Sequence, residues 1–272
     1  MIDYTMSDVS YHARSELSST GARRILDSPA RFRYWADHPE KPKAAFDVGS
    51  AAHAKILGVG AGVVEYPPEH LTPSLNPSTK KETVAWEQEQ RANGLIPIST
   101  ADARRVDRMA EAVLADKAAR RILEDIPSRE VTIITEVDGV LIRVRFDLYG
   151  NGKGADLKTG RDASPKGFTR SVGTFGYHLQ ARWYEDGHEA ETGRPLDEPF
   201  KFIVVESAAP HLVGVYDLDW AWRDVAAEKT KRARDIYRRC VETGEWPGYG
   251  TATLIAPAYI VMEGEDEEIK IA

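Results

Sequence analysis

The chain has 272 residues, of which 42% are hydrophobic, and its one cysteine is Cys240. A chain of this length and composition can bury a substantial core, as one large domain or two small ones. A single cysteine excludes an internal disulfide, a four-cysteine iron–sulfur cluster and a zinc knuckle, so any metal must bind oxygen or imidazole ligands.

Membrane and secretion signals are not visible in the sequence. No apolar run approaches the roughly 20 residues that a helix needs to cross a bilayer. The opening MIDYTMSDVS has neither the basic nor the apolar stretch of a signal peptide. We therefore expect a cytoplasmic protein that makes no membrane contact.

Charge is distributed unevenly along the chain, whose formal net charge is −7 at pH 7. Five arginines and two acids lie between Arg14 and Arg33, whereas residues 263–272 carry five acids. The net charge argues against a surface coated with nucleic acid, but an average hides local basic patches. A solvated helix face is the simpler interpretation of the early basic stretch.

Two short helices are predicted near the start of the chain. Residues 18–20, Ser-Ser-Thr, are candidate N-caps for the first helix. Ser28 and Pro29 begin a second helix, as a cap followed by proline at the first helical position.

The stretch FDVGSAAHAKILGVG indicates a helix of small residues that ends at Gly58. Gly49 and His53 are four residues apart and therefore lie on one face of this helix. HLTPSLNPSTKKE is a predicted loop, and further helices are predicted at about residues 79–92, 100–114 and 116–124.

From residue 130 the apolar residues repeat with a period of two. EVTIITEVDGVLIRVRFDLYG predicts two strands joined at Asp138-Gly139, and GKGADLKT predicts a third strand after a second glycine-rich turn. Residues 165–190 are predicted to be helical. FKFIVVES and HLVGVYDLD predict another strand pair, and WAWRDVAAEKTKRARDIYRRCVETG predicts a long amphipathic helix.

This order of elements predicts an α/β or α+β domain with a mixed sheet covered by helices. No linker divides the chain, so we expect a single domain. Its parts are a helical N-terminal region at about 15–125, a mixed-sheet core at about 130–245 and an acidic tail at about 255–272.

The second strand of the meander separates apolar from charged side chains. One face carries Val140, Ile142, Val144 and Phe146, and the other carries Leu141, Arg143, Arg145 and Asp147. In the third strand, Asp156 and Lys158 share a face. If these strands pair antiparallel, Asp147 lies near Asp156, and two carboxylates that close repel unless a cation lies between them.

The pattern therefore predicts a site for a hard cation. Mg²⁺ and Mn²⁺ bind carboxylates, backbone carbonyls and waters, and here the carbonyl would be that of Leu157. A neighbouring ammonium, Lys158, would stabilise hydroxide or the charge that develops on phosphate. The residues alone leave an alternative open, an exposed hairpin with a surface ion pair, because Asp-x-Lys is a common sequence.

A family resemblance favours the first interpretation. The segments VGSAAHAKIL, VRFDLYG, ADLKTG and GYHLQARWY follow one another as in the PD-(D/E)XK nuclease superfamily, in its RecB-like branch. The chain most closely resembles RecE-type (exonuclease VIII-like) phage recombination exonucleases, and YHARSELSSTGARRILDSPARFRYWADHPEKP is similar to the start of that family. The resemblance covers about residues 11–245.

The resemblance implies an α/β fold of the PD-(D/E)XK type and a set of site residues. His53 resembles the active-site histidine, as a metal ligand or a group close to the metal. Asp147, Asp156 and the carbonyl of Leu157 resemble the metal ligands, and Lys158 resembles the catalytic lysine. The family's Q-x-x-x-Y helix is matched by Gln180 and Tyr184, whose spacing places both on one helical face.

Simpler interpretations remain for several residues. His53 could be a packed core histidine, and Gln180 and Tyr184 could be ordinary boundary residues. Glu136 is expected to face solvent before the Asp138-Gly139 turn. Two further histidines are expected on the surface, namely His178 and His188.

The resemblance implies a Mg²⁺-dependent exodeoxyribonuclease, with Mn²⁺ as a substitute. It would resect linear duplex DNA from 5′ ends, leaving 3′ overhangs for recombination. A ring-shaped homo-oligomer and a single-strand annealing recombinase as partner are also implied. Candidate phosphate-binding residues are Arg24, Arg31, Arg161 and Lys166.

Two other classes of function stay open. The first is a structure-specific or restriction-like endonuclease on the same fold, and the second is a non-catalytic DNA-binding or assembly protein. The sequence has no G-x-x-x-x-G-K-[ST] segment, so no ATP-driven motor is expected. The iron–sulfur subgroup of these nucleases is excluded by the single cysteine.

Overall fold

The computed structural model describes residues 1–38 and 47–256. Among these residues the strands are β1 (Ile2–Asp3), β2 (Gly62–Glu65), β3 (Leu95–Ile98), β4 (Ser128–Val137), β5 (Val140–Gly150), β6 (Lys153–Gly160), β7 (Lys201–Glu206) and β8 (Val213–Tyr216). The helices are α1 (Asp8–His12), α2 (Ser19–Asp27), α3 (Pro29–Asp37), α4 (Asp47–Leu57), α5 (Lys81–Ala92), α6 (Thr100–Ala115), α7 (Lys117–Asp125), α8 (Pro165–Phe175), α9 (Tyr177–Thr192) and α10 (Trp220–Thr243).

The main sheet has the strand order β1-β4-β5-β6-β7-β8. β6 and β7 run parallel, and the other neighbouring pairs are antiparallel. A separate parallel pair joins β2 to β3. The predicted α/β fold with a mixed central sheet flanked by helices is confirmed.

One face of the sheet packs on α2, α9 and α10. Its core includes Ile142, Val144 and Phe146 from β5, together with Trp183 from α9, all of them fully buried. Burying a large apolar side chain of this kind contributes about 1.5–3 kcal/mol. The alternation of apolar and charged side chains predicted for β5 therefore matches the structure, and the charged side chains lie on the other face of the strand.

The opposite face packs on α4 and α6. Met109 and Val113 from α6 meet Leu157 of β6 and Ile203 of β7 in a second buried cluster. Alternate side chains of β6 and β7 thus pack on opposite faces of the sheet, as expected for a sheet that is covered on both faces. The site residues of β6 lie between these two cores.

Tight turns fix the register of the central strands. Asp138 and Gly139 both have positive φ, 51° and 74°, which matches the predicted hairpin turn. After the second turn, Leu148 pairs with Ala155. Asp147 and Asp156 adjoin this pair on the two strands, and their charges interact.

The structure adds two details to the predicted elements. The segment 165–190 is helical as predicted, but it is divided into two helices, α8 and α9, because Gly176 between them has φ 70°. Gly176 ends α8, and its backbone N–H donates the hydrogen bond that closes the last turn of that helix. The parallel pair β2–β3 was not predicted, because strands of four residues carry too short a pattern.

The predicted acidic tail lies mostly outside the described residues, which stop at Ala256. In the part of the chain that the structure covers, no helix is both long and apolar enough to cross a membrane.

Candidate active site

Asp147 lies near the end of β5, where its carboxylate meets two donors. Its Oδ2 accepts a hydrogen bond of 2.7 Å from the Leu157 backbone N–H of β6. The same oxygen lies 2.6 Å from His53 Nε2 of α4. These contacts hold the carboxylate of one strand against the next strand and against the covering helix.

Asp156 lies on β6 and is 2% exposed. Its Oδ1 accepts a 2.7 Å hydrogen bond from the Gln180 side-chain amide of α9. Its Oδ2 lies 2.5 Å from Lys158 Nζ, so the two groups form an ion pair. The Lys158 ammonium therefore compensates part of the charge of this buried carboxylate.

The pKa values of the site show how strongly its charges interact. Burial raises the pKa of Asp156 to about 6, and the Asp147 charge acts in the same direction against Lys158. Burial would also raise the pKa of Asp147, but His53, Lys158 and the Leu157 N–H together outweigh it and the pKa is lowered. The two carboxylates thus repel each other, which is the condition expected for a cation site.

The cationic groups of the site are stabilised in their charged forms. Burial opposes protonation of His53, but Asp147 outweighs it and raises the pKa of the imidazole to about 9. Burial likewise opposes the charge of Lys158, and the two aspartates outweigh it, so its pKa is raised.

A close helix–strand approach brings His53 to the site. Gly49 of α4 faces Thr159 of β6, and a Cβ at position 49 would lie 3.2 Å from Thr159 Oγ1. A residue without a side chain therefore lets α4 lie close to the sheet. His53, one turn later, lies on the same helical face, as the spacing predicted, and it reaches Asp147.

Helix α9 supplies the second layer of the site. Gln180 bonds to Asp156, and the Tyr184 hydroxyl interacts with the Gln180 side chain. The Tyr184 ring is buried 5.0 Å from that of Phe146. The structure therefore brings together the six predicted catalytic side chains, although Tyr184 reaches Asp156 through Gln180.

The donor set fits a divalent cation in part. Two carboxylates and the backbone carbonyl of Leu157 are the oxygen ligands that Mg²⁺ prefers, and the Asp147 charge raises the pKa of Asp156, a repulsion that a cation between the two carboxylates would relieve. Among the described residues, no three His, Cys, Asp or Glu side chains form a ready metal cluster. His53 instead contacts Asp147, which is the geometry of a group that orients a ligand.

The four predicted phosphate-binding residues divide into two pairs. Arg24 lies over the Trp35 ring at 4.4 Å, and Arg31 forms an ion pair of 2.9 Å with Asp27, so both are engaged by neighbours on α2 and α3. Arg161 and Lys166 are exposed just beyond β6, and neither makes an ion pair or hydrogen bond within the described residues.

Two histidines expected on the surface are in fact buried, each 3% exposed. His178 contacts the Val172 carbonyl and Lys229, and His188 Nδ1 lies 2.8 Å from the Tyr149 hydroxyl, within hydrogen-bonding distance. The prediction was wrong because these positions on α9 turn toward packed neighbours that a helical pattern alone does not identify. Glu136 is exposed, as expected.

The sequence pattern placed one more aromatic residue on the helical face of Gln180 but indicated no role for it. The Tyr177 ring lies 4.6 Å from Lys158 Nζ. Its position, three residues before Gln180 on the same helical face, was the available signal.

Comparison with solved structures finds a similar fold. A crystal structure described as "Putative exonuclease" from Eubacterium rectale is 13% identical, with a TM-score of 0.63, and the match covers 93% of this chain and 96% of that one. Identity at this level shows the fold alone. A structure described as SSO0001 covers 76% of this chain and 97% of its own at 16% identity, with a TM-score of 0.23, and supports no conclusion. Comparison with curated proteins gives no match.

A family model for a PDDEXK-like domain of unknown function, DUF3799, matches residues 18–256. That range contains every site residue described above, from His53 to Tyr184. The chain therefore belongs to the family of PDDEXK-like domains DUF3799.

Proposed function

We propose that this protein is a metal-dependent deoxyribonuclease that resects linear duplex DNA. The observation that carries the proposal is the meeting of Asp147 and Asp156 at one point of the sheet, with Lys158 in ion-pair contact with Asp156. Membership of a PDDEXK-like family supports the same reaction class, hydrolysis of a phosphodiester bond.

The metal proposed is Mg²⁺, with Mn²⁺ as a substitute. Asp147, Asp156 and the Leu157 carbonyl would hold it, and when bound it would polarise a phosphodiester oxygen and lower the pKa of a water that attacks phosphorus. The protein's own groups prepare this site. His53 and the Leu157 N–H orient Asp147, while Gln180 orients Asp156.

Lys158 supplies a positive charge where negative charge develops on the phosphoryl oxygens. Its ammonium is largely buried, with 19% of its side chain exposed, so its field is weakly screened by water. Tyr184 packs beneath Gln180 and fixes its side chain. Arg161 and Lys166, exposed beyond β6, are the better placed of the predicted residues to contact the DNA backbone.

The finer features of the proposal derive from the family resemblance. These are digestion from 5′ ends, 3′ overhangs that serve phage-type recombination, a ring-shaped homo-oligomer and a single-strand annealing recombinase as partner. Double-stranded DNA ends are the proposed substrate.

The test is digestion of linear duplex labelled at either end, with and without Mg²⁺. We expect Mg²⁺-dependent activity that releases the 5′ label first. Asp156→Asn should lose activity on the order of 10³-fold or more. Glu136→Gln removes an exposed acid from the neighbouring strand β4 and should leave activity unchanged.

Each contrary result has a definite meaning. Equal activity of the wild type and Asp156→Asn would refute the catalytic site, and early release of the 3′ label would refute the polarity. Cleavage of covalently closed circular DNA would assign an endonuclease on the same fold, because an exonuclease requires an end.

A further inference from the structure

The ammonium of Lys158 touches two groups of different chemistry. One is the carboxylate of Asp156, with Oδ2 at 2.5 Å. The other is the face of the Tyr177 ring, with the ring centre 4.6 Å from Nζ. A cation at this distance from an aromatic face is attracted by the ring's electron density.

Tyr177 is held in place independently of Lys158. Its ring lies among three phenylalanine rings, with centroid distances of 5.8 Å to Phe168, 5.6 Å to Phe175 and 6.0 Å to Phe202. These contacts restrict the position of the Tyr177 ring independently of the Lys158 side chain.

The backbone before Tyr177 is fixed as well. Gly176 has φ 70°, a left-handed conformation that most side chains disfavour. Arg23 of α2 donates a hydrogen bond to the Phe175 carbonyl and packs against Gly176, where a Cβ would lie 3.0 Å from Arg23 Cδ. Arg23 of α2 thus holds the turn at residues 175–176, directly before Tyr177 at the start of α9.

The Tyr177 hydroxyl has a different environment from the ring. Within the described residues it forms no hydrogen bond. The ring face, rather than the hydroxyl, is therefore the part of Tyr177 that interacts with the active site.

We propose that Tyr177 is a positioning residue, whose ring face keeps the Lys158 ammonium beside Asp156 and directed at the reacting phosphate. This inference rests on the proposed nuclease function. A lysine side chain has a flexible four-carbon stem, so one ion pair leaves the position of its ammonium group partly free. A second contact, with the Tyr177 ring, restricts that position. Losing a contact of this type should reduce kcat by about 3- to 30-fold.

The experiment varies the electron density of the ring while its shape is kept. Position 177 is occupied first by phenylalanine and then by phenylalanines with an increasing number of ring fluorines, which weaken the attraction to a cation. We expect Tyr177→Phe to retain kcat within about twofold, and kcat to fall stepwise with fluorine content to a loss of about tenfold. KM for linear duplex DNA should stay constant.

Two controls separate positioning from packing. The same fluorinated series at Phe175, a neighbouring ring that contacts Tyr177 but not the lysine, should leave kcat unchanged. Tyr177→Met, which removes the ring, should match the most fluorinated variant, provided its thermal unfolding is cooperative. A kcat that is independent of fluorine content, or a rise in KM alone, would overturn the proposal.

A second readout does not require nuclease activity. Reductive methylation with ¹³C-labelled formaldehyde gives each lysine an NMR signal, and the signal missing from Lys158→Arg belongs to Lys158. In the metal-free protein this signal should be shifted upfield by the Tyr177 ring and should move downfield in Tyr177→Met. If the wild type proves inactive but this shift is present, the nuclease proposal fails and the ring–lysine contact stands. An unshifted signal refutes the contact itself.

Discussion

At the scale of single residues, Asp156 is a carboxylate whose charged form is disfavoured in the folded protein. It is 2% exposed, and burial together with the neighbouring Asp147 raises its pKa to about 6. The folded carboxyl keeps its proton up to about that pH, whereas an unfolded aspartate releases it near 3.8. The contribution of Asp156 therefore lowers the free energy of unfolding progressively as the pH rises between these two values. Above about pH 6 the full destabilisation is present.

This cost leads to a stability prediction for Asp156→Asn. In metal-free protein at pH 8, we expect the variant to unfold a few degrees above the wild type, because it removes a cost on the order of 1–3 kcal/mol. The Asn oxygen can still accept the Gln180 hydrogen bond. Differential scanning calorimetry in EDTA measures the difference, with Glu136→Gln as the control.

Saturating Mg²⁺ should reverse the order, because ligand binding stabilises only a protein that retains the site. The account is contradicted if Asp156→Asn is less stable than the wild type without metal, or if it gains as much as the wild type from Mg²⁺.

Lys158 should be needed for the reaction and not for metal binding. For Lys158→Met we expect kcat to fall by about 10²–10³-fold, because a fixed positive charge near the developing anion is lost. Mn²⁺ affinity should not fall, because removing an ammonium does not remove a ligand. Lys117→Met, at the exposed start of α7, is the control, and loss of Mn²⁺ binding in Lys158→Met would contradict the assignment.

Much of this residue-level picture could be predicted from the sequence. The alternation in β5 and the Asp-x-Lys pattern of β6 indicated which side chains meet, because strand geometry fixes the face of each residue. The histidines of α9 could not be placed in this way. His178 and His188 are buried by contacts with Lys229 and Tyr149, which are distant in sequence.

At the scale of elements, the packing of α4 on β6 sets the position of His53. Gly49 is the contact residue, and a side chain there would meet Thr159 Oγ1 at 3.2 Å from its Cβ. A larger residue must push α4 outward, even though most residues favour a helix more than glycine does.

We therefore expect Gly49→Val to lower kcat by at least about tenfold, because a displacement of even 1 Å can cost about 10²-fold in rate. Ser50→Val makes a β-branched change at the adjacent, exposed position and should have little effect. Steady-state digestion of linear duplex measures both variants. Equal rates for Gly49→Val and Ser50→Val would show that the close approach is not required.

The elements were predictable to different degrees for physical reasons. The long strands β4 and β5 have nine paired residues and a clear period of two, so the sequence pattern sufficed. The break between α8 and α9 depends on the left-handed Gly176, which a single glycine in an otherwise helical pattern did not indicate. Strands β2 and β3 pair in parallel across an intervening helix, which no local pattern reports.

At the scale of the whole molecule, the buried histidines predict how stability depends on pH. Burial lowers the pKa of His188, and the Arg194 charge acts in the same direction against the Pro195 carbonyl, Asp197 and Glu189. Burial also lowers the pKa of His178, which faces Lys229 and the Val172 carbonyl. As the pH falls below the ordinary histidine value of about 6.5, the unfolded chain takes up protons before the folded one, so stability is lost.

We expect the free energy of unfolding in EDTA to decrease between pH 6.5 and 5 in addition to any change caused by carboxylates. His188→Gln should have a smaller slope over this range, whatever its stability at pH 7, because its side chain does not titrate. Urea unfolding at a series of pH values measures the slope. Identical slopes for the variant and the wild type would contradict the assigned neutral state of His188.

Asp147 and Asp156 come from neighbouring strands, and we propose that together they bind a divalent metal ion. Isothermal titration of the metal-free protein with Mn²⁺ at pH 7.5 tests it without any assumption about DNA. We expect saturable binding by the wild type and by Glu136→Gln, and at least about tenfold weaker binding by Asp147→Asn and by Asp156→Asn. No binding by the wild type, or equal binding by all four proteins, would contradict the account.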